Sequence, residues 1–162
     1  MIRWTPSGAV AAPTTIQIRV QRSYPGRIRA GAPTPSRSMS FDELMTNIHF
    51  FTKDMDGPRS TPCRTLVLSG VGVACRADTP DVIKAARTNG IDTVVLHVGG
   101  EDLTQIDVSR FDGLVNTLVV PVQPEAATLP EVTRVIREAH RIHLAVSANT
   151  VLTANALSGL AR

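Results

Sequence analysis

The apolar positions of this chain fall into two rhythms. Short, nearly unbroken aliphatic runs lie at Thr65 to Leu68, Ile91 to Val98, Thr117 to Val122 and Ile142 to Ser147. Runs of that length without alternation suit strands buried on both faces, as in a parallel sheet. An earlier run, Thr14 to Val20 (TTIQIRV), alternates β-branched with polar residues and predicts a further strand, at a sheet edge. Between the runs the spacing changes to three and four. Phe41, Leu44, Ile48 and Phe51 predict a helix to about Lys53, and Ser40-Phe41-Asp42-Glu43 reads as a capping box at its start. Thr79-Pro80-Asp81 reads as N-cap, first helical proline and first-turn acid. Val82, Ile83 and Ala86 then form one stripe, which Asn89-Gly90 ends. Thr128, Pro130 and Glu131 open a third helix with Val132, Val135, Ile136 and Ala139 on its buried face.

The remaining stretches are less regular. Asp56-Gly57-Pro58 breaks the first helix, and Glu101 to Asp112 predicts a short irregular helix. Pro121 favours a strand end or bulge, because it cannot donate to a ladder. Thr153 caps a last short helix running to Arg162. Strands alternating with helices need a parallel sheet covered by those helices. The predicted fold is α/β: a partial (βα) barrel or an open parallel sheet of about five strands, with flanking helices. Ser23 to Ser38, with three prolines and two glycines, is a long loop of the functional or disordered kind.

Charge divides the chain where the periodicity does not. Residues 1–38 carry Arg3, Arg19, Arg22, Arg27, Arg29 and Arg37 and no acid, whereas the rest carries 11 basic and 14 acidic residues. This gives a basic, Pro/Gly-rich N-terminal arm with the first strand (1–38) and a mildly acidic α/β domain (39–162). Such an arm suits a protein partner's acidic surface or nucleic acid, and Arg19, Arg22, Arg27, Arg29 and Arg37 are the candidate contacts. A solvated tail or a packed edge is the alternative. Against nucleic acid, the arm offers only Trp4 and Tyr24 for stacking and has no lysine. No apolar run approaches the roughly 18 residues of a membrane span, and the first residues lack the apolar core of a secretory signal. Two cysteines, Cys63 and Cys75, make no secreted framework, so a reducing, cytoplasmic setting is expected.

One resemblance spans roughly Thr15 to Leu160. The first strand and its long loop, then MSFDELMTNI, TLVLSG, DTPDVIKAARTNGIDTVVLHV and a fifth strand running into ANTVLTANAL, resemble the radical S-adenosylmethionine enzymes in order and local character. The resemblance implies a partial (βα)6 barrel. It also implies a Cys-x3-Cys-x2-Cys loop after the first strand that holds a [4Fe–4S] cluster. Here that loop, Ser23 to Ser38, contains no cysteine, and Cys63 and Cys75 are too few to replace the three. The family's Gly-Gly-Glu-Pro motif after the second strand, which receives the cofactor's amino group, corresponds to Ser69-Gly70-Val71-Gly72, without the acid and the proline. Gly99-Gly100-Glu101 occurs one βα unit later, and the chain has five strand runs rather than six. The chain thus resembles a degenerate, shortened relative whose radical chemistry has been lost.

Several residues remain as candidates. Ser69, Gly70, Gly72, Gly99, Gly100 and Glu101 sit where ligands bind in α/β folds, at strand C-termini, and are the candidate cofactor-binding set. The first glycine pair either opens backbone N–H groups to a ligand or simply makes a tight turn. His97 suits an acid–base pair with Glu101 or a hydrogen-bonded core histidine. His140 and His143 need a further ligand to hold zinc. Cys75, near Arg76, is either reactive or a small buried hydrophobe. Asn149 and Asn155 are turn and cap residues or line a pocket mouth. The expected function is that of a non-catalytic accessory or scaffold subunit joined to a protein partner or to its own copies. The alternative is a small-ligand-binding or enzymatic domain taking S-adenosylmethionine or a nucleotide. No catalytic residue, metal or iron–sulfur cofactor is expected.

Overall fold

A computed structural model describes residues 15–19, 21–22, 37–52, 63–122 and 129–150. Five strands form one parallel sheet: β1 (Thr15–Arg19), β4 (Thr65–Ser69), β5 (Thr93–His97), β6 (Thr117–Pro121) and β7 (Ala145–Asn149), side by side in chain order. Two-residue strands β2 (Gln21–Arg22) and β3 (Arg37–Ser38) pair antiparallel as a separate ladder. Helices α1 (Phe41–Thr52), α2 (Thr79–Thr88) and α3 (Leu129–Arg141) fill three of the crossovers. Two 3-10 turns, Glu101–Thr104 and Val108–Phe111, fill the crossover from β5 to β6. The α/β class, the parallel sheet and the five strands follow the sequence reading.

Chain-order adjacency has a consequence for the layers. Right-handed crossovers between neighbouring strands carry every helix to the same side. One strand face is therefore buried: Ile18, Leu66, Leu68, Val94, Leu96, Leu118 and Val120 pack with Leu44 and Ile48 of α1, Val82, Ile83 and Ala86 of α2, and Val132, Val135 and Ala139 of α3. Phe111, fully buried, brings the second 3-10 turn into the same core. The opposite face, with Val67, Val95 and Val119 at its centre, stays half-buried. The strands read as two-faced apolar runs, but among the described residues only one face has helices on it. A sheet whose described helices all lie on one side is consistent with an unclosed barrel wall.

Local signals explain most boundaries. The capping box forms as expected: the Ser40 amide donates to Glu43 Oε2 at 2.9 Å, and the Glu43 amide donates to Ser40 Oγ at 3.2 Å. Gly90, at φ +93°, ends α2 after Asn89. Pro121 closes β6 as its last residue. Two expectations are corrected. Asp78, not Thr79, is the N-cap of α2, and the Thr79 hydroxyl instead donates to the Val73 carbonyl at 2.6 Å inside the core. The fifth long strand begins at Ala145 rather than Ile142, because His143 takes a left-handed conformation (φ +57°) and Ile142 and His143 form a turn after α3. The last helix from Thr153 lies outside the described residues. The arm's own strand, β1, is hydrogen-bonded along its whole length to β4, from Thr15 opposite Thr65 to Arg19 opposite Ser69.

Arginine forks hold the crossovers. Arg87 on α2 donates through Nε and Nη2 to the Leu114 carbonyl (3.0 and 2.8 Å) and through Nη2 to Asn116 Oδ1 (2.8 Å). Asn116 Oδ1 also accepts from the Val94 amide, so the pair fastens α2 to the start of β6. Arg134 on α3 reaches the Leu103 carbonyl at 2.6 Å, and Arg110 reaches the carbonyls of Arg76 and Ala77, both at 2.9 Å. Arg76 binds Asp78 with both carboxylate oxygens (2.8 and 2.6 Å) and also the Ser38 hydroxyl and Met39 carbonyl ahead of α1. Each fork satisfies carbonyls that a loop leaves unpaired.

Candidate functional site

The open face has a definite register. Arg19 pairs with Ser69, His97 pairs with Val119, and Val119 pairs with Ser147. One step beyond the Leu68–Leu96 pair, Ser69 stands level with His97. Arg19, Ser69, His97, Val119 and Ser147 thus form one row at the C-terminal end of the sheet. Behind that row lie the half-buried Val67, Val95 and Thr117, and toward the N-terminal end the threonines Thr65 and Thr93. An apolar floor with a few polar groups at one rim is the general shape of a small-molecule or partner site.

His97 contributes an imidazole to the row. Burial pushes its imidazole below the usual histidine range, so it is neutral at pH 7. No hydrogen bond or ion pair joins it to Glu101 or to any other described residue. Glu101 is exposed at the start of its 3-10 turn. An imidazole in that state can donate through one nitrogen and accept through the other.

The two glycine segments meet through an acid that the sequence reading did not single out. Asp102, only 4% exposed, accepts the Gly72 amide with both oxygens (3.0 and 3.1 Å) and the Gly99 amide with Oδ2 (3.2 Å). Gly70 and Gly72 both take positive φ, +130° and +77°. The turn they make runs on into Val73 to Cys75, closed by the Cys75 and Arg76 amides donating to the Gly72 carbonyl (3.1 and 3.0 Å). Of the candidate set, the structure therefore brings Gly72 and Gly99 to one carboxylate. Gly100 and Glu101 sit exposed beside them, and Ser69 and Gly70 are half-buried at the end of β4. The signal that could have marked Asp102 is an acid three residues after a glycine in GGED, a spacing at which a side chain reaches back to the loop's own amide.

The cysteines divide similarly. Cys63 is buried, and Cys75 is half-buried with its thiol donating to the Asp102 carbonyl at 3.8 Å. Burial and the Asp102 charge push the Cys75 thiol up, against a smaller lowering by Arg110. A thiol held protonated is a poor nucleophile. His140 and His143 are both exposed after α3, and among the described residues no three His, Cys, Asp or Glu side chains gather as metal ligands. Asn149 ends β7 and is exposed, while Asn155 lies outside the described residues.

The arginines of the arm are placed in part. Arg19 ends β1, and Arg22 pairs with Arg37 across the two-residue ladder that follows it. Arg27 and Arg29 lie outside the described residues. Arg19 thus stands at the C-terminal end of the edge strand, opposite Ser69, and the Arg22–Arg37 pair belongs to the separate ladder that follows it in the chain. Among the described residues no helix is long and apolar enough to cross a membrane. No protein-family model matches the chain, and no curated protein is significantly similar to it.

Proposed function

We propose that this chain is a non-catalytic, radical-SAM-like accessory subunit whose open sheet face is completed by a protein partner or by a second copy. The one-sided sheet carries this reading. Val67, Val95 and Val119 form an aliphatic centre on a face with no described helix over it, and Ala145, Ser147, Ala148 and Asn149 leave β7 exposed. Natural sheets cover such faces and edges. The absence of the three-cysteine motif from the sequence supports a subunit without the family's radical chemistry.

The test is light-scattering mass of the full chain over a range of concentrations, beside a Val95→Lys variant. The reading expects an assembly, or a stoichiometric second chain, that the lysine disrupts. A monomer at every concentration, with Val95→Lys behaving identically in retention of other chains and in stability, sinks it.

A second reading rests on His97. A neutral, unpartnered imidazole level with Ser69 supports a small-ligand site at the same rim, for S-adenosylmethionine or a nucleotide. Calorimetric titration with each compound decides this. Binding that His97→Gln weakens tenfold or more favours the second reading, and no heat at millimolar ligand removes it.

A further inference from the structure

Asp102 is a buried carboxylate without a cation. Among the described residues no Lys, Arg or His nitrogen pairs with it, although it is 4% exposed. Its oxygens are held by backbone amides from two different loops, those that follow β4 and β5. Neighbouring parallel strands direct these loops to the same end of the sheet, so Gly72 and Gly99 present their N–H groups to one point. Converging backbone amides make an anion-binding concavity. The fit is close. A Cβ built on Gly99 would lie 3.0 Å from Asp102 Oδ2 and 3.3 Å from Cγ, so a side chain there would push the carboxylate back by a few tenths of an ångström. Gly72 takes a positive φ of +77°, a conformation that favours glycine.

We propose that the Gly72 and Gly99 amides form a carboxylate site that the chain fills with its own Asp102. The side chain acts as a built-in ligand: it locks the loops after β4 and β5 together and denies the site to outside anions. A small monocarboxylate, the size of formate or acetate, is the chemical class the vacated site takes. The proposal holds whether or not another chain covers the open sheet face.

Removing the side chain tests it. Asp102→Gly is expected to lower Tm by roughly 5–10 °C, from the loss of charge-assisted hydrogen bonds. Sodium formate is then expected to restore more than half of the loss with saturation, while sodium chloride at equal ionic strength does not. The wild-type chain responds to the two salts alike. Equal responses of Asp102→Gly to formate and chloride overturn the proposal. If that variant does not fold, amide exchange in the native chain decides. The proposal expects the Gly72 and Gly99 amides to be slowed about 100-fold or more relative to free peptide, and both to lose protection in Gly99→Ala. Fast exchange at both amides in the native chain overturns it.

Discussion

Thr79 separates two accounts of the same residue type at the same helix end. As an N-cap, its oxygen would accept an amide from the first turn, and aspartate would serve at least as well. In the structure the hydroxyl donates to the Val73 carbonyl at 2.6 Å, and the residue is 2% exposed. Thr79→Val keeps the shape, removes the donor and strands a buried carbonyl, which costs about 1–3 kcal/mol. Thr79→Ser keeps the donor and loses one methyl, about 1 kcal/mol with the small void it leaves. Thr79→Asp puts a buried carboxylate against a carbonyl oxygen, with a cost above roughly 4 kcal/mol, a large share of the 5–15 kcal/mol that stabilises a typical domain. In urea, with a slope of about 2 kcal/mol/M, the valine variant shifts the midpoint down by about 0.5–1.5 M, and the aspartate variant by about 2 M or fails to fold. The slope must stay constant across the folded variants. An aspartate variant as stable as the native chain would refute the donor role and restore the cap. The tether matters beyond stability, because Val73 follows Gly72, whose amide Asp102 holds.

Other expectations follow from single contacts. Ser40→Ala removes one half of the capping box and lowers stability by about 1 kcal/mol, read from the urea midpoint, with the loss confined to α1 by amide exchange. Gly90→Ala forces a side chain to φ +93° and brings its Cβ within 3.1 Å of Arg64 Nη1, costing about 1–2 kcal/mol in the same assay. His97 carries a pH signature. Its folded-state pKa lies below the ordinary value of about 6.5, so the unfolded chain binds more protons in that range. Its contribution is complete above the unfolded pKa and is lost as pH falls from there through the folded pKa. Urea midpoints between pH 7.5 and pH 5 should therefore drop more steeply in the native chain than in His97→Gln, and parallel slopes would contradict this. Cys75, its thiol pushed up by burial and by Asp102, should react with iodoacetamide at pH 8 more slowly than free cysteine, and faster in Asp102→Gly.

Elements governed by neighbours in sequence are legible in the sequence itself. The capping box at Ser40, the stop at Asn89-Gly90 and the proline at the end of β6 are each set within four residues, and each forms as read. What escaped depends on residues brought together from afar. Asp102 meets Gly72 across 30 positions, so its role is invisible until β4 and β5 pair. β7 begins at Ala145, three residues after the apolar run opens at Ile142, because His143 adopts φ +57° and turns the chain, which an apolar run does not reveal. The one-sided sheet was hidden for a related reason. Val67, Val95 and Val119 read as buried on either face, and only the chain-order adjacency of the strands separates the covered side from the open one. At the candidate rim, Ser69 and the glycines were visible from their place after a strand, but the level row from Arg19 to Ser147 needed the register.

The arginine forks bear on what substitutions this fold can accept over time. The chain contains fifteen arginines and only two lysines, and Arg76, Arg87, Arg110 and Arg134 each serve carbonyls with a planar, forked group. A lysine at those positions keeps the charge but is a single point on a flexible stem and cannot grip two acceptors in a fixed plane. Electrostatically silent exchanges are therefore not structurally silent here. In these crossovers the side chains work as brackets between loops, and drift in the sequence is constrained by the shape of the cation rather than by its sign.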